Sequence, residues 1–272
     1  MSKRTNEAAA AVEGATGETL TNEEPLEPKP HRKDLLSTGS TLLNCAAAGN
    51  PFGGFVKGKY YFMVGDSASG KTFLSMTCLA EATINRLFKD YRLIYDNVED
   101  GCLLDVDELF NQAVADKIEP PAMDDGEPVY STTIEEFYYH LDDACKKGVP
   151  FIYILDSMDA LDSEGSEDKF DQRKKAFRKA QARERGEKGE KGDDEKVAGS
   201  YGDGKAKANS QDLRKMVLGK DGIRHSGSIL IILSQTRDNI GSRYGGKTRS
   251  GGRSLRFYAT TEIWSSIVES ID

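Results

Sequence analysis

A glycine-rich segment at residues 65–72 has the residue types and the spacing of a phosphate-binding loop. It reads GDSASGKT, a full match to GxxxxGK[ST], and comprises Gly65, Asp66, Ser67, Ala68, Ser69, Gly70, Lys71 and Thr72. Consecutive backbone N–H groups of such a loop surround phosphate oxygens, the lysine neutralises the β and γ phosphates, and the threonine hydroxyl ligates Mg²⁺. The segment therefore predicts an ATP site in which Lys71 contacts the phosphates and Thr72 the metal.

Carboxylates at the ends of two apolar runs could complete this chemistry. Asp156 ends the run FIYILD, where a charge is costly unless a metal or a hydrogen-bond network receives it, so we predict that it holds Mg²⁺ together with Thr72. A plain helix cap is the alternative for Asp156. Hydrolysis also needs a group that orients water, and we choose Glu99 in LIYDNVEDG, with Asp96 and Asp100 as the alternatives.

The elements that must position these residues alternate along the chain. Strands are predicted at Tyr60 to Val64, Arg92 to Tyr95, Phe151 to Leu155, Ser228 to Leu233 and Leu255 to Ser265. Helices are predicted at Thr72 to Phe88, Ile134 to Lys147 and Ser210 to His225. Runs such as FIYIL and ILIIL are apolar at consecutive positions, as in strands covered on both faces. The pattern predicts an α/β fold with a mostly parallel central sheet flanked by helices.

Composition limits the remaining possibilities. The 272 residues carry a net charge of −8, which does not by itself favour a polyanion as partner. The four cysteines form no CxxC pair, so we expect small buried residues in a reducing compartment and neither a zinc site nor a disulfide framework. No apolar run is long enough to span a bilayer and no signal peptide is evident, so we expect no membrane partner and a cytoplasmic location.

Two segments differ from the rest in composition. Residues 1–33 are rich in Ala, Glu, Thr and Pro and are predicted to form a disordered tail, or else a short oligomerisation arm. Residues 162–198 hold eleven acidic and eleven basic side chains, so we interpret 162–209 as a charged, flexible insertion, or a segment that orders on a partner. The ATPase core is predicted to occupy 34–272.

With these residues in view, the chain resembles the RecA family of recombinases. The run LSTGSTLLNCAAAGNPFGGFVKGKYYFMVGDSASGKTFL is similar to the opening block of the family, and FIYILDSMDAL is similar to its magnesium strand. SQTRDNIG and GGRSLRFYAT resemble the segments that open and close its second DNA-binding loop. The resemblance covers roughly residues 35–264 in the family's own order, and it implies a RecA-like P-loop ATPase core. It also suggests a bacteriophage member.

The resemblance places Gln235 at the glutamine that senses the γ phosphate and begins the DNA-binding loop, here 236–254. Residues 237–256 hold six basic side chains, one acidic side chain and five glycines, a composition that can follow a sugar-phosphate backbone. A merely solvated basic loop is the alternative. The predicted DNA contacts are Arg237, Arg243, Tyr244, Lys247, Arg249 and Arg253.

These features predict a DNA-dependent ATPase that binds single-stranded DNA with ATP and Mg²⁺, for homologous recombination and DNA repair. We expect it to assemble with itself as a filament or a ring. In the bacterial recombinases the catalytic acid follows an aspartate two residues earlier, whereas Asp96 and Glu99 are three apart, as in helicase relatives. A hexameric helicase motor and a non-catalytic, nucleotide-binding recombination mediator are the alternatives. Because the family continues beyond the position of Asp272, we expect either a truncated chain or an intersubunit site built differently.

Overall fold

The computed structural model describes residues 30–100, 102, 104–162, 201–238, 247–249 and 252–269. For residues 201–209, 238, 247–249 and 252–254 only the backbone is described. Contacts divide the chain into residues 1–31 and residues 32–272, and every element named below lies in the second unit. The predicted tail at 1–33 therefore lies almost wholly outside the described residues, as does the predicted insertion between 163 and 200.

Helices and strands alternate through the described part of the chain. The helices are α1 (Thr41–Ala48), α2 (Lys71–Ile84), α3 (Val106–Leu109), α4 (Gln112–Ala115), α5 (Ile134–Lys146), α6 (Tyr201–Leu218), α7 (Ile223–Ser226) and α8 (Gly252–Tyr258). The strands are β1 (Leu35–Leu36), β2 (Phe55–Val56), β3 (Tyr60–Gly65), β4 (Arg92–Asn97), β5 (Ile118–Glu119), β6 (Ala122–Asp124), β7 (Glu127–Val129), β8 (Phe151–Asp156), β9 (Ile229–Asp238), β10 (Lys247–Arg249) and β11 (Thr261–Ser265).

Six strands form the central sheet in the order β11–β3–β9–β8–β4–β5, and each neighbouring pair is parallel. β10 adds an antiparallel pairing to the last three residues of β9, with Lys247 opposite Asp238 and Arg249 opposite Thr236. Parallel neighbours bring the carboxyl ends of β3, β4, β8 and β9 to one edge of the sheet, the edge at which α/β folds bind ligands.

Successive side chains of the central strands enter two cores, one on each face of the sheet. Tyr60, Phe62 and Val64 of β3 pack in the core that contains residues of α5 and α6 and Leu255 of α8. Tyr61 and Met63 pack in the other core, which contains residues of α2. Burial on both faces explains why the strand sequences are apolar at consecutive positions. The predicted α/β fold with a mostly parallel, helix-flanked sheet is confirmed.

The helix predicted at Thr72 to Phe88 ends at Ile84, and the strand predicted at Ser228 to Leu233 extends to Asp238. Two other predicted elements differ more from the structure in bounds or type. The strand predicted at Leu255 to Ser265 is instead the helix α8 followed by β11, because Leu255 packs in a core as part of a helix and pairing with β3 begins only at Thr261. The helix predicted at Ser210 to His225 begins at Tyr201 and ends at Leu218. After it, Gly219 donates from its N–H to the carbonyl of Lys215, which closes the helix before α7 starts.

The glycine-rich cationic segment at 236–254 is a loop only in part. Thr236–Asp238 and β10 pair as a β-hairpin, and α8 begins at Gly252. Residues 239–246 and 250–251 lie outside the described part.

All four cysteines are free, but Cys45 is exposed, so the prediction that every cysteine is buried was wrong. Among the described helices, none is long and apolar enough to cross a membrane.

Candidate nucleotide site

A cavity of about 410 Å³ opens at the carboxyl edge of the sheet, between the loop that follows β3 and the ends of β4, β8 and β9. Its wall combines hydroxyl, carboxylate, amide and apolar side chains. The lining residues are Ser67, Ala68, Ser69, Gly70, Lys71, Thr72, Phe73, Glu99, Cys102, Leu104, Asp156 and Gln235. Six consecutive residues of the predicted phosphate loop, from Ser67 to Thr72, therefore line one cavity with the three acid and amide residues predicted for the site.

Two glycines allow the loop its shape. Gly70 adopts a φ of 86° at the start of α2, a left-handed conformation that strains residues with a Cβ. At Gly65, a Cβ atom would lie 2.1 Å from Oγ of Ser265 on β11, so the neighbouring strand could not pack as it does. The N-terminal N–H groups of α2, a 14-residue helix, are thereby turned toward the loop, as an anion site requires.

Lys71 is folded back over the loop. Its Nζ donates to the carbonyl oxygen of Asp66 over 2.7 Å and to that of Gly65 over 3.1 Å. Burial lowers the pKa of Lys71, and the carboxylates of Asp156, Glu99, Asp159 and Asp66 oppose that shift. Neutral carbonyl acceptors thus hold the ammonium group beside the loop. Phosphate oxygens could take the place of these acceptors and form stronger, charge-assisted hydrogen bonds.

Asp156 is nearly buried at the end of β8 and is held by two hydroxyl groups. Its Oδ2 accepts from Oγ1 of Thr72 over 2.6 Å and from the hydroxyl of Tyr95 over 2.8 Å. Burial raises the pKa of Asp156, while the hydrogen bonds from Thr72 and Tyr95 lower it, Glu99 raises it and Lys71 lowers it. The alternative that Asp156 only caps a helix does not account for these contacts, which place its carboxylate on the phosphate loop.

The oxygen atoms of Thr72 and Asp156 fit a Mg²⁺ ion. Mg²⁺ takes oxygen ligands, and in nucleotide sites it is bound by one or two protein groups together with substrate phosphates and water. Within the described ranges, no group of three or more His, Cys, Asp or Glu side chains could hold a metal by itself. Thr72 and Asp156 are therefore suited to a Mg²⁺ ion whose other ligands are phosphate oxygens and water.

Glu99 and Gln235 meet at the wall of the cavity. Nε2 of Gln235 donates to Oε1 of Glu99 over 3.1 Å, and the hydroxyl of Ser157 donates to the same oxygen. The backbone N–H of Glu99 donates to the carbonyl of Asp156 over 3.2 Å. The ends of β4, β8 and β9 are therefore joined directly at the cavity wall, and the Glu99 carboxylate is exposed to the cavity.

The two alternative acids occupy different environments. Asp96 is fully buried, and it accepts from the N–H and hydroxyl of Ser131 over 2.9 and 2.6 Å and from the hydroxyl of Tyr153 over 2.7 Å. Asp96 therefore has a structural environment, and it is not among the residues that line the cavity. Asp100 has a φ of 48° and is not among the described residues that line the cavity. Of the three acids, only Glu99 faces the cavity.

The predicted DNA-contacting residues are brought together only in part. Arg237 lies on the exposed end of β9, and Lys247 and Arg249 lie on β10 beside it. Arg253 lies in α8, where only the backbone is described, and Arg243 and Tyr244 are outside the described residues. Arg256, counted among the six cations of the segment, pairs with Glu262, with Nε and Oε2 3.3 Å apart.

Several residues of the site were not identified from the sequence. Tyr95 and Ser157 hold Asp156 and Glu99, and Phe73, Cys102 and Leu104 form the apolar part of the wall. The only sequence signal for Tyr95 and Ser157 is their position next to a predicted acid at a strand end. Their partners lie 61 and 58 positions away along the chain, so their roles depend on the tertiary structure.

Comparison with known proteins shows that the chain is similar to RecA proteins over most of its length. No protein-family model matches the chain. It is 28% identical over 236 residues to Protein RecA of Cytophaga hutchinsonii, a match that covers 84% of this chain and 52% of that protein. It is 27% identical over 241 residues to Protein RecA of Chlorobaculum parvum, covering 84% and 53%. Protein RecA of Clostridioides difficile is 26% identical over 239 residues, covering 85% and 53%. The chain spans about half the length of these curated relatives.

Proposed function

We propose that this protein is a DNA-dependent ATPase of the RecA type, which binds single-stranded DNA in the presence of ATP and Mg²⁺. One observation carries the proposal: Gln235 contacts Glu99 in the nucleotide cavity, and the two residues that follow it begin the cationic β9–β10 hairpin. A change in the contact between Gln235 and Glu99 can therefore reach the cationic segment directly through the backbone of β9. The similarity to RecA proteins over most of this chain supports the same function.

The phosphate loop and α2 would bind the nucleotide. Backbone N–H groups of the loop and the ammonium group of Lys71 would hold the phosphates, since Lys71 already lies against the loop. Thr72 and Asp156 would hold Mg²⁺, which supplies neutralisation of developing negative charge when it is bound. Tyr95 fixes the orientation of the Asp156 carboxylate by its hydrogen bond.

Glu99 would orient the attacking water and accept its proton. Its carboxylate is exposed to the cavity, and Ser157 and Gln235 fix one of its oxygens. The Gln235 amide has a second role, because its Nε2 can donate to a phosphate oxygen only by sharing or leaving Glu99. Nucleotide would thus compete for the amide and alter the start of the hairpin.

The hairpin would bind a phosphate backbone without reading base sequence. Arg237 on β9 lies opposite Thr248, and Lys247 and Arg249 flank Thr248 on β10, so the two paired strands together carry three cations that suit a phosphate backbone. The proposed role is in homologous recombination and DNA repair, and the similarity to RecA proteins supports it. Self-assembly as a filament or ring, an origin in a bacteriophage and a cytoplasmic location remain predictions.

The test is phosphate release from ATP and Mg²⁺ with and without single-stranded DNA. Wild-type protein should hydrolyse ATP faster when the DNA is present, and Lys71→Ala should lose both ATP binding and turnover. Lys89→Ala removes an exposed lysine outside the cavity and is the matched control. Absence of turnover in wild-type protein that still binds ATP would favour the nucleotide-binding mediator. Turnover that drives DNA unwinding would favour the helicase motor.

A further inference from the structure

Asp159, three residues beyond β8, contacts the two residues of β9 that connect the cavity to the hairpin. Its Oδ2 accepts a hydrogen bond of 2.6 Å from the backbone N–H of Gln235. Its Oδ1 is buried and accepts no hydrogen bond from any residue in the described ranges. The nearest ion-pair partner of that oxygen is Nη2 of Arg237, at 3.7 Å.

The two members of this ion pair differ in exposure. The Asp159 side chain is 10% exposed, whereas the Arg237 side chain is 67% exposed. A carboxylate oxygen that is buried without a hydrogen bond destabilises the folded protein. The guanidinium group of Arg237 therefore stabilises the Asp159 carboxylate. Arg237, which is largely in solvent, can instead turn toward another anion at small cost.

The end of β9 is held by contacts with two other segments. Asp159 contacts the backbone N–H of Gln235 and the guanidinium group of Arg237, whose side chain lies on one face of the strand. Thr236 lies on the opposite face, where its hydroxyl donates to Oδ1 of Asp66 in the phosphate loop. Contacts from two different loops therefore fix three consecutive residues of β9.

Asp159 also interacts with the cation of the nucleotide site. Its negative charge is among those that oppose the lowering of the Lys71 pKa by burial. One nearly buried carboxylate thus attracts Lys71 in the phosphate loop and Arg237 at the start of the hairpin. Through Asp159, negative charge added near Lys71 or near Arg237 changes the electrostatic interaction at the other residue.

We propose that Asp159 is a positioning residue that holds Arg237 against the sheet and competes with a nucleic-acid phosphate for its guanidinium group. This inference rests on the proposed function, because it requires the hairpin to bind a phosphate backbone. To contact a phosphate, Arg237 must leave or share Asp159, and the Asp159 charge repels the incoming anion. Asp159 therefore lowers the affinity of the nucleotide-free protein for single-stranded DNA.

The test is the affinity of nucleotide-free protein for a fluorescein-labelled oligo-dT, measured by anisotropy at several salt concentrations. Asp159→Asn removes the charge and keeps an oxygen that can accept from the Gln235 N–H. Asp143→Asn changes the net charge equally at an exposed carboxylate of α5 and is the matched control. Asp159→Ser is the second neutral variant, for use should Asp159→Asn not fold.

We expect Asp159→Asn to tighten oligo-dT binding by about two- to fivefold, the range of a partly exposed ion pair. We also expect the slope of log affinity against log salt to steepen by about 0.7, the value for one added phosphate contact on a single strand. Asp143→Asn should leave both quantities as in wild-type protein. In the Arg237→Gln background, Asp159→Asn should have no further effect on affinity, because its target is gone.

Three other results would count against the proposal in different ways. Wild-type binding that Asp159→Asn leaves unchanged, or changes no more than Asp143→Asn does, would overturn the role of Asp159 and leave the proposed function standing. Absence of oligo-dT binding by wild-type protein and by all variants, with and without ATP and Mg²⁺, would overturn both. An unchanged salt slope with a changed affinity would show a structural effect of the substitution and would also overturn the inference.

Discussion

Nε2 of Gln235 donates a hydrogen bond of 3.1 Å to Oε1 of Glu99, which joins the end of β9 to the segment that follows β4. Glu99 is the acid that faces the cavity, and Gln235 is followed directly by the strand end that pairs with β10. The proposed hydrolytic residue and the proposed DNA-binding hairpin are therefore separated by a single side-chain contact.

Gln235→Ala should uncouple ATP turnover from DNA. Without the amide, Glu99 keeps its contact with Ser157, so we expect turnover without DNA to persist while stimulation by single-stranded DNA falls by about tenfold or more. The measurement is phosphate release across a titration of oligo-dT. Gln112→Ala, which changes a glutamine on α4, is the matched control. Full stimulation in Gln235→Ala would contradict the assigned role.

Glu99→Gln should block hydrolysis without blocking nucleotide binding. The amide cannot accept a proton from water, so kcat should fall by about 10² to 10⁴-fold. Binding of a fluorescent ATP analogue should change little, because Lys71 and the N–H groups of the phosphate loop are unchanged in this variant. Asp100→Asn, one position further along, should leave kcat close to that of wild-type protein. Equal losses in the two variants would mean that the acid has been misassigned.

Asp96→Ala should destabilise the fold strongly, because Asp96 has a structural environment. The change would leave the Ser131 N–H, the Ser131 hydroxyl and the Tyr153 hydroxyl without their buried acceptor. We expect the free energy of unfolding in urea to fall by about 3 kcal/mol or more, at about 1–3 kcal/mol for each unsatisfied group. Loss of catalysis in an Asp96 variant of unchanged stability would contradict this interpretation.

Asp156→Asn should separate stability from metal-dependent function. Burial raises the pKa of Asp156, so ionisation of its carboxyl group destabilises the folded state. The stability linked to the protonated form is fully present below the ordinary pKa of an aspartate, and it is lost as pH rises through the raised pKa. At neutral pH the neutral amide should therefore give a higher free energy of unfolding than wild-type protein. Mg²⁺-dependent ATP turnover should fall by about 10²-fold or more, because the carboxylate ligand is gone.

Acidification gives a second measurement on the same residue. Mg²⁺ binds the ionised carboxylate, and the raised pKa of Asp156 means that it protonates at higher pH than an exposed aspartate. The affinity of wild-type protein for Mg²⁺ with ATP should therefore weaken on acidification before exposed aspartates titrate. A pH dependence that persists unchanged in Asp156→Asn would assign it to another group.

The sequence allows prediction of the parts of the site that local spacing determines. The phosphate loop, Asp156 at a strand end and Glu99 past another strand all depend on short runs of neighbouring residues. The strands β3, β4, β8 and β9 are also predictable, because burial on both faces makes them apolar at consecutive positions.

Features that depend on packing could not be predicted in the same way. The apolar residues around Leu255 suit a strand as well as a helix, and only their packing against the core selects α8. Asp96 lies in β4 and Glu99 lies two residues beyond it. Their environments differ because Asp96 contacts Ser131 and Tyr153, which are distant in sequence. The contacts of Asp159 with Gln235 and Arg237 arise only when β8 and β9 lie side by side.

The central claim is that nucleotide in the cavity controls the cationic hairpin, and one titration tests it most directly. Binding of labelled oligo-dT should be measured by anisotropy at fixed salt, without nucleotide and then with Mg²⁺ and a non-hydrolysable ATP analogue. The account predicts that the analogue tightens binding by about 5- to 150-fold, and that this gain is lost in Lys71→Ala. Equal affinity with and without the analogue, in wild-type protein that is shown to bind the analogue, would contradict it.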